Sequence, residues 1–311
     1  MRIPPPGRLV DVGGFRLHLH TIGEGRPVVV FDASLGASSL SWALVQPEVA
    51  RFARACACDR AGFGWSERGP LPRTAGRAAD ELRIALDRAG EPPPYILVGH
   101  SYGSLVARIF AGRYPADTAG LILVDPAHPE DWLHPAPKEQ ARIDRGVILC
   151  RRSALLSRTG LAHVVSGLVG LGALRAARRM VNGVTRGRFD SDLDEVLAPF
   201  FKLPPDVRAA VRQFWTRPAF FEALGSQIAS MSVSSREVID AVAGGLGDLP
   251  LVTITKAHAD DHHLRRQDDV ARLSSRGRHE VAARSGHWIQ LDEPEMVIAV
   301  VREMVETVVL A

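Results

Sequence analysis

Cysteine is nearly absent from the 311 residues: Cys56, Cys58 and Cys150 are the full set. An odd, sparse count excludes a disulfide framework and points to a reducing compartment. Cys56 and Cys58 fall on one face of an expected strand, too close in sequence to pair with each other. No apolar run is long enough to cross a membrane; the nearest, residues 160–174, is short and broken by glycine. The opening residues, MRIPPPGRLVDVGG, lack the apolar stretch of a secretion signal. No Lys/Arg-rich run accompanies the formal charge of +3, so nucleic acid is not an expected partner. Internal repeats and low-complexity tracts are missing too. These absences lead to the expectation of a soluble, cytoplasmic protein without stable membrane insertion.

What is present is 46% hydrophobic and 23% charged, enough for a large core in one domain with an insertion, or in two domains. The first part alternates strand and helix signals. Residues 8–20 read as two strands around a Gly-Gly turn, and 26–33 and 53–59 as short buried strands. In 74–90, Ala75, Ala78, Ala79, Leu82, Leu86 and Ala89 fall on one helical face. The runs 94–99 and 119–125 are almost continuously apolar, as parallel strands buried on both faces should be. Such alternation predicts a parallel α/β sheet. From about 127 to 247 the strand signal disappears and only helical segments remain. Within that stretch, residues 138–188 hold eleven Lys/Arg against two Asp/Glu. That excess reads first as a solvated helical face, and second as a surface for an anionic ligand or a membrane. A buried strand returns at 249–256, followed by RHEVAAR and a closing helix. Asp292 is its expected N-cap, with Glu295 three residues on and an apolar face of Val297, Val300, Val301, Met304, Val305 and Val308.

Residues 96–110, ILVGHSYGSLVARIF, carry the chemistry. The pattern G-x-S-x-G is weak alone, but here it joins an apolar strand to a helix, as a nucleophile elbow requires. Ser101 then sits on a tight turn, with Gly99 and Gly103 allowing strand and helix to approach. A serine hydroxyl needs a base to take its proton. Among eleven histidines, His18 and His20 lie on an early strand, His100 is locked beside the serine, and His163 lies among the helices. His287, in the loop RSGHWIQLDEP, is the expected base. The developing oxyanion needs two backbone donors. Tyr102 N–H is one, and the loop after the third strand supplies the other through Ser34, with Leu35 as the near alternative. The tract HADDHH (258–263) holds metal-ligand residue types without a ligand spacing and reads as a surface loop. No metal and no cofactor are expected.

These motifs resemble the α/β-hydrolase superfamily over nearly the whole chain, and within it capped bacterial serine hydrolases of esterase type. The matching segments are Asp32 through Trp42, Asp59 through Ser66, Gly99 through Ser104, and Ser285 through Pro294. The resemblance implies a mostly parallel central sheet flanked by helices, with a helical cap inserted after the sixth strand. Residues 1–126 and 248–311 would form the core and 127–247 the cap over the active site. Two departures stand out: Asp32-Ala33 replaces the usual His-Gly, and Ser104 replaces the second elbow glycine.

The acid that orients His287 has two placements compatible with the chain order serine, acid, histidine. Asp260 or Asp261 follows the strand 249–256, near the commoner superfamily position. Asp125 ends the strand GLILVD, the placement seen among haloalkane dehalogenases, and burying it there demands a partner such as His287. Asp125 is preferred, with Asp260 and Asp261 kept as alternatives. The expected reaction is hydrolysis of a carboxylic ester through an acyl-enzyme on Ser101. Lactones, amides and C–C bonds can be cleaved by the same groups. A non-catalytic ligand-binding member is the contrasting class, disfavoured because both serine and histidine are kept.

Overall fold

Four short runs of β-branched and aliphatic residues make the centre of the molecule. In a computed structural model, which describes residues 3–173, 175–176, 179–180 and 193–310, they are β3 (Val28–Asp32), β5 (Tyr95–His100), β6 (Thr118–Val124) and β7 (Leu251–Lys256). With β1 (Arg8–Asp11), β2 (Arg16–Ile22), β4 (Arg54–Asp59) and β8 (Gly277–Ala282) they form an eight-stranded sheet in the order β1-β2-β4-β3-β5-β6-β7-β8. β1 and β2 form the antiparallel hairpin expected around Gly13-Gly14, and β2 also runs antiparallel to β4. Every other pairing is parallel.

Alternation along the central strands builds two cores. Val28, Val30, Leu97, Leu121 and Leu123 pack on one face with α1 (Ala75–Arg88) and α2 (Tyr102–Arg113). Val29, Phe31, Ile96, Val98, Ile122, Val124 and Ile254 pack on the other, against Val297, Val300, Val301 and Met304 of the closing helix. Both faces are covered, which is why these strands carry so few polar residues.

Between β6 and β7 the described residues contain helices and no strand. The longer ones are α3 (Pro137–Ser157), α4 (Leu161–Gly170), α5 (Leu193–Lys202), α6 (Pro205–Phe214), α7 (Pro218–Ala229) and α8 (Met231–Ala241). Arg178, Arg186 and Arg188 of the basic stretch lie outside the described residues. This segment is bolted to the start of α1, whose first N–H groups have no partner within their own helix. Ser234 Oγ accepts from Ala75 N at 3.0 Å and the Glu237 carboxylate from Gly76 N at 2.8 Å, while Ser226 Oγ accepts from Arg73 N at 2.9 Å.

Two local expectations are corrected. Asp292 is not the N-cap of the closing helix. It ends a separate turn, Ile289–Asp292, and α10 (Pro294–Val309) starts at a proline. The residue before a proline is kept out of the helical region, so Glu293, at φ −142° and ψ 56°, breaks the two apart. HADDHH is not a loop throughout: Asp260 Oδ1 accepts from His263 N at 2.7 Å and caps α9 (Asp261–Ala271).

Candidate active site

The C-terminal ends of the parallel strands share one edge of the sheet, and the sequence-predicted residues gather there. β5 ends at His100 and α2 begins at Tyr102, leaving Ser101 alone to turn the chain. It does so at φ 51° and ψ −111°, a conformation rarely taken by a residue with a side chain. A Cβ on Gly103 would meet the Asp32 carbonyl oxygen at 2.5 Å, and one on Gly99 would meet the Gly103 carbonyl oxygen at 2.5 Å. Both glycines are therefore required by the close approach. The turn is tied on every side. Ser101 N donates to Val124 O at 3.0 Å, and Ser101 O accepts from Ser104 N at 3.0 Å and Ala127 N at 3.3 Å. Ser104 Oγ adds a bond to the same carbonyl at 2.5 Å, so the serine that replaces glycine at 104 braces the elbow.

Asp125 follows β6 directly, at φ 38°, and is 2% exposed. Its Oδ2 lies 2.5 Å from His287 Nδ1, and its Oδ1 lies 2.9 Å from His263 Nε2. Lys256 Nζ, on the last residue of β7, stands 3.9 Å from Oδ2. Burial works to raise the Asp125 carboxyl. The bonds from His263 and His287 and the charge nearby outweigh it and hold the group far below the usual carboxylate range. Asp125 is thus a buried anion with partners on both oxygens. Asp260 is spent on capping α9, and Asp261 is exposed in its first turn.

The loop carrying His287 is fixed by its own neighbours. His100, fully buried, donates from Nε2 to the His287 carbonyl at 2.8 Å and accepts at Nδ1 from Gln290 Nε2 at 3.0 Å. Burial, and then the nearby His287, pull its pKa down to about 3, so this imidazole is neutral and its tautomer is set by those two bonds. Asp292 Oδ2 accepts from Gly286 N at 3.0 Å. The His287 side chain stays 40% exposed, open on the side away from Asp125. Among the described residues no hydrogen bond joins Ser101 Oγ to His287, a separation common in ligand-free sites.

The loop after β3 is clamped from below by Arg60. Its guanidinium pairs with Asp32 and donates to Ala33 O at 2.6 Å and Ser34 O at 2.6 Å. The same group lies over the Tyr102 ring, 5.0 Å from its centroid. Ser34 is buried at this edge, and Leu35 beside it is half-buried. Tyr102 opens α2, so its N–H has no acceptor within the helix.

Other candidates lie elsewhere. His18 is fully buried against Asp59 at 2.9 Å, a packing role, and His163 is exposed on α4. No cluster of His, Cys, Asp and Glu suited to a metal occurs among the described residues. His263 is the site neighbour that sequence reading missed, while His100 and Arg60 stood in recognised motifs without these contacts assigned to them. His263 had one usable signal, its place three residues after a possible helix cap.

A cavity of about 1070 Å³ opens at this edge between the core loops and the helices that follow β6. Leu35, Gly36 and Trp288, the last adjacent to His287, line its core side. No described helix is long and apolar enough to cross a membrane.

Comparison with known proteins agrees with this architecture. The family model for the alpha/beta hydrolase fold matches residues 27–191, just over half of the chain. A Pseudomonas putida 2-hydroxy-6-oxo-2,4-heptadienoate hydrolase is 35% identical over 127 residues, covering 38% of this chain and 44% of that protein. A Bos taurus (lyso)-N-acylphosphatidylethanolamine lipase is 26% identical over 257 residues, covering 80% and 70%. The chain spans 43% and 40% of the length of two Bacillus subtilis proteins that it also matches. A solved thermophilic esterase from Thermogutta terrifontis superposes with a TM-score of 0.66 at 21% identity, over 97% of this chain and 98% of that one. The chain belongs to the alpha/beta hydrolase fold family.

Proposed function

We propose that the protein is a serine hydrolase that cleaves a carboxylic ester, or a related acyl bond, of a small molecule. The observation that carries this reading is the bond between Asp125 and His287 at the sheet edge that also holds the strained Ser101. With its Nδ1–H donated to Asp125, His287 keeps the Nε2 lone pair free to act as base. Rotation of the side chains brings Ser101 Oγ to that nitrogen. The hydroxyl proton passes to His287 as Oγ attacks the acyl carbon, and Asp125 stabilises the imidazolium. The N–H groups of Tyr102 and Ser34 receive the oxyanion, helped by the positive end of α2. The imidazolium then protonates the leaving alkoxide. Water, activated by the same histidine, next hydrolyses the acyl-enzyme.

The helices of residues 127–247 act in this reading as a cap. They form most of the wall of the cavity whose core side is lined by Leu35 and Trp288, the chain neighbours of Ser34 and His287, and in this reading they select the substrate. The names of two proteins similar to this one, a lipase and an esterase, fit an acyl-ester substrate. The test is turnover of p-nitrophenyl esters of graded acyl length by the wild type and Ser101→Ala. The expected result is hydrolysis by the wild type alone. Equal rates in both proteins would refute it.

A further inference from the structure

The cavity wall formed by α3 has a repeating pattern. Arg142, Arg145, Leu149, Arg152 and Leu156 all line it, at spacings that place them along one helical face. Arg175 joins them from the segment after α4. These four arginines border the cavity and are also exposed, so they stand at its mouth. None of them has an ion-pair partner among the described residues, whereas Arg158, at the end of the same helix, pairs with Glu222 at 3.1 Å. The two carboxylates that also border the cavity are engaged elsewhere. Glu139 Oε2 accepts from Ala136 N at 2.9 Å, and Asp131 faces Arg266 at 3.7 Å. Below the arginines the wall is apolar: Val165, Val169, Phe200, Val211, Phe214 and Leu224. With four arginines against two carboxylates, the mouth carries net positive charge over an apolar chamber.

We propose that this cavity binds a single anionic amphiphile, its aliphatic chain in the chamber and a phosphate or carboxylate head on the arginines of α3. This deepens the reading above by naming its substrate class, and rests on it only in taking the cavity as the substrate's place. Guanidinium groups suit such a head because their planar forks match the oxygen geometry of phosphate and carboxylate. Exposed charge pairs are individually weak, so three or four together are needed to distinguish a charged head from a neutral one. A bilayer would also meet exposed arginines. The chamber, lined on its core side by Leu35 and Trp288, the chain neighbours of Ser34 and His287, fits one inserted chain instead.

The test uses Ser101→Ala protein, so that no turnover enters. Calorimetry compares decyl phosphate below its micelle concentration, 1-decanol and inorganic phosphate. Decyl phosphate should bind about tenfold more tightly than 1-decanol, the combined effect of about three exposed charge pairs. Inorganic phosphate should give no measurable binding. Adding Arg142→Gln, Arg145→Gln and Arg152→Gln should abolish the preference and leave 1-decanol affinity unchanged; these exposed positions spare the core. Equal affinity for the two decyl compounds would overturn the proposal, as would a preference that survives the triple substitution. Binding to dioleoylphosphatidylglycerol vesicles without binding of monomeric decyl phosphate would overturn it in favour of a membrane surface. Failure of ester hydrolysis would leave these outcomes untouched, so the two readings fail separately.

Discussion

Asp125 bridges two histidines: its Oδ2 lies 2.5 Å from His287 Nδ1 and its Oδ1 2.9 Å from His263 Nε2. A buried carboxylate held from both sides keeps its charge and fixes the imidazole it faces. Asp125→Asn should lower kcat by about 10³–10⁴, the cost of a wrong histidine tautomer in comparable triads, with little change in fold. Asp260→Asn and Asp261→Asn should stay near wild type, since asparagine caps α9 as well as aspartate does. Steady-state kinetics on the three variants decides among the carboxylates. Near-normal activity in Asp125→Asn with collapse in either of the others would reverse the assignment.

In the proposed mechanism His263 is a positioning residue, acting on the reaction through its contact with Asp125. Losing a hydrogen bond to a charged group costs about 1.5–3 kcal/mol, so His263→Ala should reduce kcat by roughly ten- to a hundredfold. KM should change little. His263→Gln, which can still donate, should recover part of the loss. Equal effects on kcat and KM, without rescue by glutamine, would indicate a structural role alone.

Arg60 holds the loop of Ser34 by three carbonyl and carboxylate contacts in a buried site. Lysine keeps the charge but not the fork, so Arg60→Lys should lower kcat more than it raises KM. Arg60→Met leaves Asp32 buried and unpaired, and denaturant unfolding should show a loss of about 3–5 kcal/mol. Unchanged stability in the methionine variant would contradict the clamp.

The buried His100 links stability to pH. Its folded pKa, about 3, lies below the ordinary value of 6.5, so between those pH values the unfolded chain binds the extra proton. Stability should therefore rise with pH across that window and level off above 6.5. The slope approaches about 1.4 kcal/mol per pH unit. Urea unfolding at pH 5 and pH 7 measures it, and His100→Gln should flatten the difference. An equal slope in the variant would assign the effect to other groups.

Much of this site was legible in sequence because its signals are local. The strand, the G-x-S-x-G turn and the helix at Ser101 are contiguous, and His287 sits in a loop whose residues match a known pattern. The choice of Asp125 followed from the cost of ending so apolar a strand in an unpaired charge. What sequence could not show are contacts closed by the fold. His263 reaches Asp125 across 138 residues, and only the register of β6 beside β7 brings them together. Arg60 likewise stood in a recognised motif, but its grip on Ala33 and Ser34 depends on the pairing of β3 with β4. Asp292 was misplaced for a local reason, the proline at 294 that starts α10 one residue later than the capping pattern implied. Loop contacts among the helices of 127–247 had no periodic signal; the basic excess of 138–188 was plain in the sequence, but that Arg142, Arg145 and Arg152 line a cavity was not.

The most direct measurement is the intact mass of the protein quenched with acid during turnover of p-nitrophenyl butyrate, followed by peptide mapping. The expected result is one butyryl group replacing one hydrogen, carried on Ser101, and its disappearance in Ser101→Ala. A butyryl group on another residue, or hydrolysis by Ser101→Ala at the wild-type rate, would contradict the proposed mechanism.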